Sequence, residues 1–231
     1  MKLFFAEIFP EVKIDKEEEN HISRVLRLKE GTEIHLTDGK GNLARGIISY
    51  QGKKVNFVSS EIQKDIPDFS SKIHIAIAPT KNIDRIEFFL EKATEMGVSE
   101  VTFLLTENSE RKNINFERLQ KQAIAASKQS LRMHFPKINP LVKLTDFLES
   151  TSSVDIHVAH CNTAFERTLL PEITSKKPLT FLVGPEGDFS VSEINLLAGK
   201  GVKAVSLGNQ RLRTETAGVF LSAWNYYRMI E

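Results

Sequence analysis

Two short stretches near the end of the chain hold the residues best suited to chemistry. In the first, the apolar pair Leu182 and Val183 runs into Gly184, Pro185, Glu186, Gly187 and Asp188. In the second, an apolar run over 202–207 leads through Gly208 to Leu212, Arg213, Thr214, Glu215, Thr216 and Ala217. Glycine has no side chain, so at Gly184, Gly187 and Gly208 the backbone can come close to a ligand, and Pro185 stiffens the first loop. Leu182, Leu207 and Leu212 can supply apolar walls. Arg213 can stabilise negative charge developing on a substrate, and Glu186 or Glu215 can act as a base or hold a reacting group. A carboxylate near a helix start also complements the helix dipole, and for Glu215 that reading stands beside the catalytic one.

Other residues with suggestive chemistry are weaker candidates. His157, His160 and Cys161 are metal-ligating types, but strand alternation sends the two histidines to opposite faces, and no metal is expected. The segment over 39–44 fits the glycine pattern of dinucleotide-binding loops. That pattern works only where it opens a helix, whose N-terminus holds the pyrophosphate. Strand-like residues follow here, so the segment is read as a hairpin turn.

The elements that must position the two loops follow from pattern and punctuation. A strand at Leu182 and Val183 stops at Gly184, and Ser190 with Glu193 forms a capping box that starts the next helix. A second strand over 202–207 precedes a last helix, with Thr214 expected as its N-cap. Upstream, strands over 73–78, 101–105 and 155–159 alternate with helices over 82–96 and 116–133. This alternation predicts a mostly parallel sheet covered on both faces, with ligands bound outside the strand ends. Residues 1–69 differ. Short strand-like runs over 1–8, 32–37, 43–50 and 54–62 are broken by turn residues, with one helix over 16–28 that turns Ile22, Val25 and Leu26 inward. The pattern is that of a small β-barrel, joined through a linker over 63–71 to a second domain over 70–231.

The helix over 116–133 carries an unusual charge pattern. At about 100° per residue, Arg118, Lys121, Lys128 and Arg132 share one quadrant, while Phe116, Leu119, Ala123, Ala126 and Met133 lie opposite. Between Arg111 and Lys137 there are seven basic residues and one acidic, Glu117. Such a local excess suits a ridge that contacts phosphates, although a solvated basic stripe would look the same.

Composition bounds the rest. With 231 residues, 41% hydrophobic and 26% charged, the chain is an ordinary globular sequence able to bury a substantial core. Its net charge of +1 does not announce a nucleic-acid binder, so any RNA contact must come from local patches. The single cysteine excludes an internal disulfide framework and fits a reducing cytoplasm. No stretch is long and apolar enough to cross a bilayer, and the first ten residues are not expected to act as a signal peptide.

The two loops, GPEGDFS and LGNQRLRTETA, resemble the signature loops of the SPOUT (trefoil-knot) methyltransferases. They are most similar to the family that methylates N3 of a uridine in small-subunit 16S ribosomal RNA. Three further segments match in order: HISRVLRLKEG over 21–31, KNIDRIEFFLEKATEMGV over 81–98 and KQSLR over 128–132. The resemblance implies a knotted α/β methyltransferase domain after a PUA-like RNA-binding domain, with S-adenosylmethionine as cofactor and a homodimer as the assembly. It also implies a cofactor pocket at Gly184, Pro185, Glu186, Gly187, Leu207, Gly208, Leu212, Thr214, Thr216 and Ala217, to which Leu182 is added as an apolar wall on its residue type. Catalytic roles fall to Arg213, Glu215 and Glu186, and RNA contacts to Arg24, Arg27, Arg111, Arg118, Lys121, Lys128 and Arg132. The rival readings are a SPOUT enzyme acting on another RNA, such as a transfer-RNA ribose 2′-hydroxyl, and a non-catalytic ribosome-assembly factor. Three positions depart from the family pattern: Lys128 stands where Glu is common, Asp188 where Gly is common, and Gln210 where Arg is usual.

Overall fold

The computed structural model describes residues 1–52, 54–70, 72–151, 155–174 and 177–230, so residue 71 of the expected linker lies outside it. The described residues form two compact units, one of Met1–Phe69 with Ile124–Phe135, the other of Ser70–Ala123 with Pro136–Glu231.

The first unit is built on a four-stranded sheet. Its strands are β1 (Leu3–Phe5), β2 (Glu33–Thr37), β3 (Leu43–Gln51) and β4 (Lys54–Gln63), in that spatial order. β1 runs parallel to β2, and the other pairs are antiparallel. Between β2 and β3 the chain turns at Gly39 and Gly41, with φ of 70° and 90°. Asp38 accepts hydrogen bonds from Lys40 N–H at 2.9 Å and Asn42 N–H at 3.3 Å, which closes the turn. The 39–44 segment is thus a hairpin. Both glycines are also packed over: a Cβ at Gly39 would lie 2.6 Å from the Phe135 ring, and one at Gly41 2.6 Å from the His134 ring. Backbone bonds from Gly41 to Met133 and from Phe135 to Gly39, both 2.9 Å, explain why Ile124–Phe135 belongs to this unit.

The expected helix over 16–28 divides in two. α1 (Lys16–Asn20) is capped by Asp15, whose carboxylate accepts from Glu18 N–H at 2.8 Å, and a π-helical turn follows over His21–Val25. Ile22 is fully buried, but Val25 is 70% and Leu26 44% exposed. The wider winding of a π turn rotates each residue by less than 100°, so the inward stripe expected from 3.6-residue periodicity is lost after Ile22.

The second unit holds a seven-stranded parallel sheet. In chain order it contains β5 (Ile73–Ile77), α2 (Ile83–Glu95), β6 (Glu100–Leu105), α3 (Phe116–Gln129), β7 (Lys137–Lys143), α4 (Leu144–Ser150), β8 (Ile156–Ala159) and β9 (Thr168–Leu169). β10 (Leu179–Val183), α5 (Val191–Gly199), β11 (Lys203–Ser206) and α6 (Thr214–Ile230) complete it. The second half of α3 lies in the first unit. Spatially the strands run β7-β6-β5-β10-β8-β11-β9. The late strand β10 therefore enters between the two earlier strands β5 and β8. Every residue of β10 is buried. Its neighbours alternate between two cores: Phe181 joins Ile75, Phe89 and Leu221 on one face, and Leu182 joins Ala76, Phe147 and Leu197 on the other. The helix starts expected at Asn82 and Ser190 are present, the latter with both capping-box bonds.

Three elements, β7, α4 and β9, were not expected. Pro140 disguises β7. It sits in an edge strand where the register slips between Thr102 and Phe103, so its missing N–H leaves no ladder bond unmade.

The fold draws two of the four residues, Lys128 and Arg132, away from the basic stripe on α3. The helix ends at Gln129, and Leu131 turns the chain at φ 57°, so Arg132 lies beyond it, half-buried with Nε directed to His134 O at 3.4 Å. Lys128 does not face solvent. Within the first unit its ammonium pairs with Glu18, whose side chain is only 7% exposed and also accepts from Phe5 N–H at 3.2 Å. Arg118 is held by Glu87 at 2.6 and 2.8 Å, and Arg111 donates to Thr80 O at 2.9 Å. Arg118 and Lys121 both keep exposed positions on the helix, and Lys121 lies 3.5 Å from Glu117. Removing one partner of a buried pair leaves the other uncompensated. Lys128→Ala is therefore expected to destabilise the first unit by roughly 3 kcal/mol in chemical denaturation; unchanged stability would return Lys128 to the surface.

Candidate functional site

Pairing brings three strand ends together. Val183 at the end of β10 lies opposite Ala159 at the end of β8, which in turn lies opposite Val205 in β11. The loops leaving these strands enclose a cavity of about 340 Å³. That volume suits a small organic ligand. Its walls are apolar at Ala159, Val183, Pro185, Val205, Leu207, Leu212 and Ala217, and its charged lining comes from Arg85, Arg167, Arg211, Arg213, Glu186 and Asp188.

The two signature loops are tied directly. Thr214 is the first residue of α6 rather than its N-cap, and its hydroxyl donates to Gly184 O at 2.9 Å in a buried bond. Arg211 Nη2 donates to Glu186 O at 3.3 Å, a second tie between the same loops. Gly208 holds φ at 120°, which only glycine adopts without strain, and this turns the chain from β11 across the cavity.

Most of the expected cofactor residues converge here: Gly184, Pro185, Glu186, Leu207, Gly208, Leu212, Thr214 and Ala217 line the cavity, as does Arg213. Leu182, Gly187 and Thr216 do not. Leu182 is directed by strand alternation into the opposite core; Gly187 and Thr216 are exposed. Glu215 is also off the lining. It is buried beside Arg85, with Oε1 3.8 Å from Arg85 Nε and Oε2 without a hydrogen-bond partner. Arg24 and Arg27 are exposed on the π turn and its end in the first unit.

Sequence reasoning missed Arg85, His160, Arg167 and Asp188 as lining residues. Arg85 is three residues past the Asn82 cap, in the first turn of α2, where its charge passed as helix pairing. In sequence His160 reads only as a metal-ligating type. Its ring is 5% exposed, stands edge-on to Phe165, and makes no hydrogen bond at either nitrogen.

His74, His157 and His160 all titrate below the usual imidazole value of 6.5, chiefly because burial disfavours the charged ring. Glu100, Asp155 and Asp188 respectively oppose the shift without reversing it. With folded values below unfolded ones, the unfolded chain binds more protons as pH falls. Stability from these rings is full above pH 6.5 and is lost as pH drops through the depressed values. Urea unfolding followed at Trp224 should give a midpoint that falls steadily from about pH 6.5 to about pH 5; a flat midpoint across that window would show ordinary titration.

Comparison with known proteins gives this site a context. A family model described as the RNA methyltransferase domain matches residues 67–225. The chain belongs to the RNA methyltransferase family. A second model, the RNA methyltransferase PUA domain, matches residues 14–57 of this methyltransferase. Ribosomal RNA small subunit methyltransferase E of Rickettsia conorii is 30% identical over 203 residues, covering 87% of this chain and 82% of that protein. A solved Porphyromonas gingivalis structure, described as a probable rRNA-methyltransferase, is 36% identical with a TM-score of 0.90, covering 100% of this methyltransferase and 99% of that chain. A Legionella pneumophila protein solved with the cofactor S-adenosylmethionine is 26% identical with a TM-score of 0.88, covering 98% and 97%.

The residues present fit that cofactor. Its adenosine needs apolar walls and close backbone, which Leu207, Leu212, Ala217, Gly184 and Gly208 provide. Its charged and polar atoms need partners, and both nitrogens of the His160 ring are buried with none among the described residues.

Proposed function

We propose that this enzyme methylates N3 of a uridine in small-subunit 16S ribosomal RNA, with S-adenosylmethionine as donor and assembled small subunits as substrate. The observation that carries the reading is the cavity at the ends of β8, β10 and β11, apolar within and bordered by arginines. When bound, the cofactor supplies an electrophilic methyl group on a sulfonium. Gly184, Pro185, Leu207, Gly208, Leu212, Thr214 and Ala217 hold it. Arg213, exposed and with a guanidinium that makes no hydrogen bond or ion pair among the described residues, stabilises the uracil anion left when the N3 proton departs. Glu186, one carboxylate oxygen of which accepts from Lys81 N–H at 3.0 Å, keeps its other oxygen for the proton or for positioning the base. Glu215 positions Arg85 instead of touching substrate.

Residues 1–69 serve as the PUA-like RNA-binding domain, with Arg24 and Arg27 as contacts, and residues 70–231 as the SPOUT methyltransferase domain. The enzyme works in the cytoplasm as a homodimer, paired through the outer face of α6, where Phe220 is 43% and Tyr227 61% exposed. Leu221 and Trp224 are not part of that face: Leu221 is fully buried, and Trp224 packs edge-on against Phe181.

Incubating the protein with isotopically labelled S-adenosylmethionine and unmodified small subunits, then digesting the RNA to nucleosides for mass spectrometry, tests the reading. Label in 3-methyluridine is the expected result. Label on a ribose would indicate a different RNA methyltransferase, and subunit binding without label a non-catalytic assembly factor.

A further inference from the structure

The loop after β10 carries an aspartate where the backbone favours glycine. Asp188 sits at φ 61°, in the left-handed region, and its N–H donates to Pro185 O at 2.9 Å. Its carboxylate accepts from Phe189 N–H at 2.8 Å and from Cys161 N–H at 2.7 Å. The second of these bonds leaves the loop and reaches the end of β8, 27 residues away in sequence. On the other side, Asn108 Nδ2 donates to Gly187 O at 3.2 Å and Asp188 O at 3.0 Å, so the loop is itself anchored. His160 does not anchor the β8 end, since neither ring nitrogen is bonded. That end is held by the Asp188 carboxylate at Cys161 and by Arg167, whose Nη1 donates to His160 O at 3.0 Å.

We propose that Asp188 is a positioning residue of the cofactor cavity, its carboxylate fixing the wall of residues 159–161 against the loop after β10 and so setting the width of the space the methyl donor enters. This rests on the cofactor reading given above. A glycine here would relax the backbone but release the wall; the aspartate accepts an unfavourable φ and closes the gap with a charge-assisted bond. The departure from the family's Gly-Gly thus has a physical consequence confined to one side of the pocket.

Two substitutions in the full chain separate the possibilities, with S-adenosylmethionine titrated by calorimetry. Asp188→Gly keeps the turn without strain and removes both carboxylate bonds, whereas Asp188→Asn tolerates the same φ and keeps one acceptor oxygen, which can turn to Cys161 N–H and preserve the bond to the wall while giving up the local one to Phe189 N–H. The glycine variant should bind at least about tenfold more weakly than wild type, and the asparagine variant within about threefold of it. The ligand-free melting temperature should not follow affinity, and rescue by asparagine decides the matter even if the glycine variant melts lower. Equal affinity of wild type and Asp188→Gly overturns the clamp and leaves the cofactor reading standing. A loss that asparagine shares in full also overturns it. Wild type that fails to bind overturns both.

Discussion

Arg213→Ala is expected to slow methyl transfer to RNA by about a hundred- to a thousandfold while changing S-adenosylmethionine affinity by less than about threefold. The argument is one of charge placed in advance. Arg213 lines the cavity, is exposed, and forms no ion pair among the described residues, so none of these neutralises its charge. Arg211, by contrast, donates to Glu186 O, and Arg85 lies beside Glu215. Taking the N3 proton from uracil leaves an anion whose charge spreads onto its carbonyl oxygens, and a guanidinium nearby is worth most at that moment. The residual rate of the variant should climb more steeply with pH than wild type, because hydroxide then does more of the deprotonation. Single-turnover kinetics at saturating cofactor measures this. Loss of cofactor affinity with the chemical rate intact would place Arg213 in binding instead.

The largest expected effect on stability is Gly46→Ala, at about 3 kcal/mol or more in the first unit. A Cβ at Gly46 would lie 2.2 Å from Val58 O and 2.7 Å from the Phe57 ring. The carbonyl cannot step aside cheaply, because β3 and β4 are paired along their length and the register already shifts between Arg45 and Gly46. The only tryptophan, Trp224, belongs to the second unit, so its fluorescence will not report the damage. Far-ultraviolet circular dichroism and limited proteolysis should show an early transition confined to residues of the first unit. Cofactor affinity should be retained while RNA affinity falls. An alanine variant that resists protease like wild type would mean that β4 relaxes around the methyl group.

What could be read in the sequence was local. Ser190 and Glu193 meet within one helical turn, Asn82 caps α2, and the hairpin at Gly39 and Gly41 is closed by the adjacent Asp38. Each such signal acts over a few residues, so composition and spacing reveal it. The convergence of Gly184, Gly208 and Thr214 was legible because two strand ends with irregular loops belong at one sheet edge. Errors came where a distant partner or a small change in winding decides. Nothing near Lys128 in sequence announces Glu18, 110 residues away, and that pairing makes an expected surface cation one half of a largely buried ion pair. The left-handed Leu131 ends α3 without glycine or proline to signal it. Leu182 is of the right type for an apolar wall, but alternation along β10 gives the cavity Val183 instead. Arg85 reaches the cavity from a helix distant in sequence.

The position of β10 has a bearing on how such a protein comes into being. A strand that slots between β5 and β8, with α6 then packing against α2, cannot dock until the polypeptide on both sides of the gap has taken shape. Pairings so far apart along the chain form slowly. During synthesis the earlier strands must therefore wait with an open seam, a state that exposes edges and invites chaperones. Competence for the methyl donor should arrive abruptly, once the residues through Ala217 have emerged and docked, and a polypeptide halted before Thr214 should have none.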